Sequence, residues 1–339
     1  MDRIRRQILQ ALERRPLSVY ELIDWQDASL REFVEILEDL KFNGIIEVKN
    51  GKVKLTEKGK DLIRKEKLTK ISIKCKACKG TGYRIVGLFR EAYKEYAKIA
   101  KNRPEAIEKY DQGFISLDGV IRRVEFLYER GDLTSKIFVV GDDDLFSIAA
   151  ALTGLPKEIV VIDIDERLIN FINKVANEYD LPIHALVYDV QNEFPREYEK
   201  KFDVFLTDPV ETLPGIKLFL SRGVSSLKGK GSSGYFGLTT LEASREKWYE
   251  IQKMIHEMGF VITDIRRKFN VYPEEEKNFF RFQEKFPIVK KLGIKADYNW
   301  YTSCLYRIEA VRDPEPLVKG KMIIDEKIYK DDESWATPL

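Results

Sequence analysis

The second half of the chain alternates short apolar runs with amphipathic stretches, and this alternation constrains the fold more than any other feature. Helical spacing lies between the apolar runs, as expected for a doubly wound, mostly parallel α/β sheet. Ligands of such sheets bind at the carboxyl ends of the strands. The predicted strands cover residues 137–141, 159–163, 184–188, 202–207, 234–239, near 261–266 and near 303–312.

Acidic residues follow the first four predicted strands. A lone Asp at such a point is commonly the N-cap of the next helix, but four acidic strand ends at one sheet edge indicate a ligand site. We expect Asp165, or else Asp163, to hold both ribose hydroxyls of a nucleoside, with Glu166 beside them, and Asp189 to hold the adenine amine. The acids are Asp142, Asp143 and Asp144 after the first strand, Asp163, Asp165 and Glu166 after the second, Asp189 after the third, and Asp208 and Glu211 after the fourth.

The turn Gly141-Asp142-Asp143-Asp144 departs from the glycine-rich turn that usually follows the first strand of a nucleoside-binding sheet. Gly141 remains, and a glycine lets the backbone approach a ligand closely. Three adjacent carboxylates repel one another and require positive charge nearby. Magnesium or manganese is one source of that charge, and a polyamine is the other. The turn therefore predicts a cationic ligand.

The segment after the fourth strand, Thr207-Asp208-Pro209-Val210-Glu211, resembles the D-P-P-Y turn of amino-methyltransferases, with Val210 and Glu211 replacing the second proline and the aromatic residue. In that turn the Asp and a backbone carbonyl grip the amine that is alkylated. A carboxylate within hydrogen-bond reach can orient an amine and accept its proton. Transfer from a sulfonium then requires mainly in-line positioning. The turn predicts alkyl transfer to nitrogen from an adenosyl sulfonium.

Residues 1–67 form a separate small domain by pattern, with three helices and a β-hairpin that turns at Asn50-Gly51, the order of a winged helix. The third predicted helix, Ser29–Leu40, carries four acids and one Arg. A helix that reads the major groove should be basic because phosphate contacts supply most of the affinity. The pattern therefore favours a packing or dimerisation module over a DNA-binding one.

Residues 68–134 are predicted to connect the two domains through helices and a C-x-x-C turn at Cys75 and Cys78. A structural zinc site requires four ligands, and the chain otherwise offers only Cys304 and two His. A metal shared between subunits, a local disulfide and a plain turn remain alternatives, so no metal ligand is assigned.

Composition limits the setting of the protein rather than its activity. Charged residues make up 34% of the chain, yet the formal net charge is +2. The abundance of Lys and Glu is typical of thermophilic proteins. The sequence has neither a membrane-length apolar run nor a signal-peptide pattern at its start. A cytoplasmic protein without membrane partners is expected.

Together these motifs resemble the archaeal and thermophilic branched-chain polyamine synthases, the N(4)-bis(aminopropyl)spermidine synthase family. The resemblance lies in Gly141–Asp144 with Ser147, Val161–Arg167, Thr207–Pro209 and Gly215–Gly223, and it extends over the whole chain. It implies a Rossmann-like, class I methyltransferase-like domain over residues 135–312 and a homodimer. It also implies two successive aminopropyl transfers from decarboxylated S-adenosylmethionine, a co-substrate rather than a resident cofactor, to the secondary amine of spermidine. The products are N(4)-bis(aminopropyl)spermidine and methylthioadenosine.

The resemblance assigns substrate activation to an Asp of the Gly141–Asp144 turn. Asp144 is the first catalytic candidate, because it matches the Asp that holds the donor amine in linear spermidine synthases, and Asp143 is the second. Asp208, also a catalytic candidate, and Glu211 are expected to steer the acceptor, and Asp142 to bind substrate. Three Asp in this turn would repel the carboxylate of ordinary S-adenosylmethionine and favour the decarboxylated donor.

Residues 313–339 are predicted to form a flexible tail. Its acids and Trp335 either close over the polyamine site as a lid or belong to a disordered terminus. Two rival functions also follow from the motifs. One is an S-adenosylmethionine-dependent amino-methyltransferase acting on nucleic acid, and the other is a DNA-binding regulator that senses a nucleoside or polyamine. The triple Asp opposes the first rival, and the acidic third helix opposes the second.

Overall fold

The computed structural model describes residues 1–70, 75, 78, 80–275, 277–278, 283–325 and 328–337. Much of the predicted C-x-x-C turn, residues 74, 76, 77 and 79, lies outside the described residues. Cys75 and Cys78 themselves are described as free thiols, which gives no support to a local disulfide. Cys304 is buried in the core on one face of the large sheet.

The N-terminal unit contains the three predicted helices and the hairpin. Asp2, Ser18 and Ser29 each accept a hydrogen bond from a backbone N–H in the first turn of the helix that follows, which fixes the helix starts. Asn50 and Gly51 have φ of 51° and 69°, as a two-residue hairpin turn requires. The elements are α1 (Arg3–Leu12), β1 (Leu17–Ser18), α2 (Val19–Trp25), α3 (Leu30–Phe42), β2 (Ile46–Lys49), β3 (Lys52–Leu55) and α4 (Glu57–Glu66).

All seven predicted strands form one sheet in the order β6-β5-β4-β7-β8-β10-β9, with β10 antiparallel to both of its neighbours. This is a mainly parallel sheet of methyltransferase-like topology. Strand β4 lies between β5 and β7. Its carboxyl end is therefore at the switch point of the sheet, where a crevice opens. The strands are β4 (Lys136–Val140), β5 (Glu158–Asp163), β6 (Ile183–Val187), β7 (Val204–Thr207), β8 (Ser233–Leu238), β9 (Phe260–Val271) and β10 (Thr302–Ala310).

Helices cover both faces of this sheet. One face carries a core that includes helices from the predicted connecting segment, and the other carries a core rich in phenylalanine. The helices are α5 (Gly87–Ala100), α6 (Leu117–Glu129), α7 (Phe146–Ala151), α8 (Glu166–Tyr179), α9 (Leu213–Ser226), α10 (Arg245–Glu257) and α11 (Pro287–Leu292), with single 3-10 turns at Glu108–Tyr110 and Arg196–Tyr198. None of the helices in the described residues is long and apolar enough to span a membrane.

Strand β9 is longer than predicted, because it continues past residue 266 to Val271, with a register shift against β10 between Ser303 and Leu305. Lys268 has φ of 52° within this irregularity, which is consistent with a β-bulge. The extension carries Asn270 into the interior, where its side chain is fully buried. This residue proves important for the site.

The described part of the C-terminal tail packs against the rest of the molecule, and its flexibility stays a prediction. Ala336 and Trp335 belong to or pack on the same hydrophobic core as the N-terminal unit, together with Phe286 and Trp300. The backbone N–H of Ile288 donates to the Trp335 carbonyl at 3.0 Å. Trp335 therefore anchors the tail to the N-terminal core. The lid hypothesis had instead expected Trp335 to close over the polyamine site.

Candidate active site

Two connected pockets open at the carboxyl ends of β4, β5 and β7. We call the first the nucleoside pocket and the second the acidic pocket. They share Asp111, Asp143, Asp208, Pro209 and Tyr329, so the two pockets meet at these residues. The rest of the nucleoside pocket is lined by Tyr110, Gln112, Gly141, Ile162, Asp163, Ile164, Tyr188, Asp189, Val190, Gln191, Val210, Phe219, Ile324 and Ile328.

The nucleoside pocket contains the acids expected at the ends of the second and third strands. Asp163 lines it, and the backbone N–H groups of Asp165 and Asp142 donate to the Asp163 carboxylate at 2.8 and 3.2 Å. Burial raises the pKa of Asp163 to about 7. Asp189 lines the same pocket and is held by the backbone N–H and side-chain amide of Gln191. Gly141, with φ of 75°, forms part of the floor.

Asp165, the first candidate for the ribose hydroxyls, has other partners. It is the N-cap of α8, it forms an ion pair with Arg167 at 2.7 Å, and it accepts from Gln112 at 3.1 Å. Glu166 is exposed in the first turn of the same helix. Asp165 lines neither pocket, whereas Asp163 lines the nucleoside pocket.

The acidic pocket is lined by five carboxylates and three tyrosines. A dense set of carboxylates that are all at least partly buried favours a ligand that brings several positive charges. Sequence reasoning had found three of the acids and missed the other two, Asp111 and Glu242. The charged and aromatic lining comprises Asp111, Asp143, Asp208, Glu211, Glu242, Lys247, Tyr272, Tyr301 and Tyr329.

The three Asp of the predicted signature turn have three different surroundings. Asp143 lines both pockets, and its Oδ2 accepts from the Gly113 backbone N–H at 2.8 Å. Burial, followed by the charge of Asp208, raises the pKa of Asp143 to about 6. A carboxyl group with this pKa at the junction of two pockets is suited to accept a proton near neutral pH.

Asp144 and Asp142, by contrast, are turned into the protein. Asp144 is 3% exposed, and its two oxygens accept from the Ile115 backbone N–H at 2.6 Å and from Arg123 at 2.9 Å. Asp142 is 2% exposed and accepts from the backbone N–H and hydroxyl of Ser147, within α7. The expectations that Asp144 holds the donor amine and that Asp142 binds substrate therefore conflict with where these carboxylates point.

Arg123 joins the signature turn to the turn after β7. Its guanidinium contacts Asp144 at 2.9 Å and Asp208 at 2.6 Å, and its Nε donates to the Asn270 side chain at 3.0 Å. Burial lowers the pKa of Arg123, but the charges of Asp208 and Asp144 outweigh burial and raise the pKa above its usual value. The guanidinium thus stays charged and fixes the Asp208 carboxylate at the pocket junction.

Sequence reasoning missed Arg123, although one signal was available. It stands among the apolar positions of α6, where a fully buried Arg is rare unless it is paired. Gly237 on β8 completes this arrangement, because a Cβ at that position would overlap the Asp208 carboxylate.

Glu211 lines the acidic pocket as expected for a substrate-binding residue. Its Oε1 accepts from the Thr239 backbone N–H at 2.8 Å, whereas its buried Oε2 has no hydrogen-bond partner among the described residues. Burial and the neighbouring Glu242 raise the pKa of Glu211 well above its usual value. Glu242 itself accepts from the Tyr301 hydroxyl at 2.7 Å. An entering ammonium group would satisfy the free oxygen of Glu211.

Asp111 adds a carboxylate where the pockets meet. It belongs to the loop between α5 and α6, which carried no motif, and its φ of 53° is a conformation that Asp tolerates better than most residues. Burial, followed by the charges of Glu242 and Asp143, raises the pKa of Asp111 to about 8.

The fold and the site together define a Rossmann-like transferase in which the nucleoside pocket and the acidic pocket meet. The chain belongs to the branched-chain polyamine synthase family, because residues 91–336 match the family described as "Branched-chain polyamine synthase A C-terminal domain".

Curated relatives and solved structures agree with this assignment. The chain is 38% identical over 326 residues to the N(4)-bis(aminopropyl)spermidine synthase of Methanocaldococcus jannaschii, covering 94% of this chain and 90% of the relative. It is 37% identical over 327 residues to the enzyme of that name from Thermococcus kodakarensis, covering 94% and 91%. The branched-chain polyamine synthase from Thermus thermophilus, solved in complex with N4-aminopropylspermidine and methylthioadenosine, has a TM-score of 0.83 at 33% identity, covering 98% of this chain and 93% of that structure.

Proposed function

We propose that the protein transfers aminopropyl groups from decarboxylated S-adenosylmethionine to the secondary amine of spermidine, twice in succession. The observation that carries this proposal is the meeting of a nucleoside pocket and a pocket of five carboxylates at Asp143 and Asp208. The names of the relatives and the two ligands bound to the Thermus thermophilus enzyme support the same reaction.

The donor is assigned to the nucleoside pocket, with its ribose on Asp163 and its adenine toward Asp189. Both carboxylates line that pocket, and a carboxylate can accept from two ribose hydroxyls at once. The sulfonium arm then extends toward the junction. There, Asp111 and Asp143 would attract the donor's terminal ammonium and repel the carboxylate of ordinary S-adenosylmethionine.

The acceptor is assigned to the acidic pocket, with its secondary amine at the junction. The amine nitrogen attacks the aminopropyl carbon attached to sulfur, the carbon–sulfur bond breaks, and neutral methylthioadenosine leaves. In the first transfer, the proton lost by the secondary amine passes to Asp143, whose pKa of about 6 suits this role. In the second transfer, the unprotonated tertiary amine becomes a quaternary ammonium, and no proton leaves the nitrogen. Asp208 is paired with Arg123 and orients the amine as a fixed negative charge. Glu211 holds an outer ammonium of the acceptor.

We assign a winged-helix fold to the N-terminal unit and a packing role rather than DNA binding, since α3 is acidic and the unit shares its core with the tail. We assign the tail a lid role because Ile328, Tyr329 and Ala336 line the pockets. A homodimer in a thermophilic cytoplasm stays a prediction that light scattering and thermal melts can test.

Mass spectrometry of the products tests the proposal. Incubation with spermidine and decarboxylated S-adenosylmethionine should add first one and then two aminopropyl groups, with methylthioadenosine released each time. Ordinary S-adenosylmethionine serves as the control donor and should give no adduct. Methyl addition, to spermidine or to nucleic acid, would instead support the amino-methyltransferase alternative, which the acidic lining argues against because it repels phosphate.

A further inference from the structure

A buried lysine limits one part of the acidic pocket. Lys247, in the first turn of α10, has a side chain that is 5% exposed. Its ammonium donates to the Glu242 carbonyl at 2.9 Å and to the Asp331 carboxylate in the tail at 2.7 Å. Among the described residues that line the acidic pocket, Lys247 is the one basic side chain. A fixed positive charge in a pocket for polycations calls for an explanation.

A second cavity lies on the far side of this lysine. Lys247 and Thr212 line both the acidic pocket and an open outer groove, so they separate the two. The outer groove is itself acidic, with carboxylates at Glu246, Glu250, Asp331, Asp332 and Glu333. A polyamine that extended beyond the acidic pocket would reach these carboxylates. The Lys247–Asp331 ion pair stands in its way.

Thr212 cannot open this boundary by rotating away. Its hydroxyl donates to the Ile328 carbonyl in the tail and accepts from the Gly215 backbone N–H as the cap of α9. The Lys247 side chain can move only if its hydrogen bonds to the Glu242 carbonyl and to Asp331 both break. The boundary between pocket and groove is thus formed by one fixed hydroxyl and one ion pair.

We infer that Lys247 sets the length of the acceptor by placing a positive charge where the additional ammonium of a longer polyamine would lie. This inference rests on the proposed function and refines the acceptor half of it. With an outer ammonium of spermidine held by Glu211, the additional ammonium of a linear tetraamine in the same pocket would lie against Lys247. Like charges in a buried site discriminate strongly between partners.

The test compares acceptor preference in single variants of the full-length enzyme. The ratio of kcat/KM for spermine to kcat/KM for spermidine is measured with decarboxylated S-adenosylmethionine as donor. In Lys247→Met, which keeps the length of the side chain and removes its charge, the ratio should rise by about 10-fold or more, because Asp331 becomes available to the extra ammonium. Lys247→Arg keeps the charge and should leave the ratio low.

Two controls separate charge from loosening of the tail. Asp331→Asn removes the partner of Lys247 but leaves the lysine in place, so the ratio should not rise. Lys98→Met, at an exposed lysine of α5, should leave the ratio and the melting temperature unchanged. An unchanged ratio in folded Lys247→Met would overturn the inference, as would an equal rise in Asp331→Asn. Failure of the wild-type enzyme to aminopropylate spermidine would instead refute the proposed function.

Discussion

The nucleoside pocket and the acidic pocket differ in how the chain builds them. The first is lined largely by residues at the ends of β4, β5, β6 and β7, close to one sheet edge. The second gathers its acids and tyrosines from segments that are far apart in sequence, from Asp111 before α6 to Tyr301 before β10 and Tyr329 in the tail. The nucleoside pocket is thus supplied mainly by the sheet, whereas the acidic pocket is supplied mainly by the loops around it.

The electrostatics of the two pockets differ as well. In the acidic pocket, burial raises the pKa values of Glu211 and Glu242, and the charge of Glu242 raises that of Glu211 further. Arg123 supplies a positive charge at the junction and fixes the carboxylates of Asp208 and Asp144. The carboxylate of Asp143 is less restrained than either of them. The difference suggests that donor affinity and acceptor affinity can be altered separately.

The largest expected effect is at the junction. Asp143→Asn should lower kcat by roughly 100- to 10,000-fold, because it removes the proton acceptor, while methylthioadenosine binding and the melting temperature stay near wild type. Turnover with spermidine, calorimetry and thermal melts measure the three quantities.

Asp144→Asn is the matched comparison. It breaks part of a buried ion-pair network, so the free energy of unfolding should fall by about 3 kcal/mol. An Asp143→Asn enzyme that keeps its turnover, or an Asp144→Asn enzyme that keeps its stability while losing activity, would reverse the roles assigned to these two residues.

Removal of the tail should come next in size. A chain that ends at Asp325 lacks Tyr329, which lines both pockets, and the Asp331 contact to Lys247. We expect turnover with spermidine to fall by about 100-fold, since small misplacements of reacting groups cost this much. The KM for spermidine should rise more than that for the donor. Unchanged turnover would refute the lid role of the tail.

A smaller effect is expected at Gly237. In Gly237→Ala the new methyl group overlaps the Asp208 carboxylate and should displace it from Arg123. We expect kcat/KM for spermidine to fall by about 10-fold. Gly320→Ala is the control, because a Cβ there meets nothing within 4 Å among the described residues. Equal kinetics in both variants would show that the Asp208 position does not matter.

The same comparison explains which parts of the site the sequence predicts. The seven strands and the acids at Asp163, Asp189 and Asp208 are predictable, because carboxyl ends of parallel strands share one edge. The choice between Asp143 and Asp144 is not, because it depends on how the turn twists before Leu145, which has φ of 57°. Arg123 and Asp111 could not be paired with the turn from periodicity alone, since their contacts are set by long-range packing.

The dependence of acceptor affinity on pH is the smallest of these expected effects. Burial raises the pKa of Asp143 to about 6 and that of Asp111 to about 8, so these groups hold protons in the free enzyme at lower pH. A polycation favours the ionised carboxylates and lowers their pKa values on binding. Spermidine affinity should therefore rise several-fold between pH 6 and pH 8 with release of protons. Calorimetry in two buffers of different ionisation enthalpy measures this release, and an affinity that falls over the same range would contradict the acidic pocket as the acceptor site.

The separate assignment of donor and acceptor to the two pockets is the central claim, and a reciprocal binding measurement tests it most directly. Dissociation constants of spermidine and methylthioadenosine are measured by calorimetry for Glu211→Gln, in the acidic pocket, and Asp163→Asn, in the nucleoside pocket. The account predicts that Glu211→Gln weakens spermidine by about 10-fold and leaves methylthioadenosine unchanged, and that Asp163→Asn does the reverse. A variant that weakens both ligands equally, or the opposite ligand, would contradict the account.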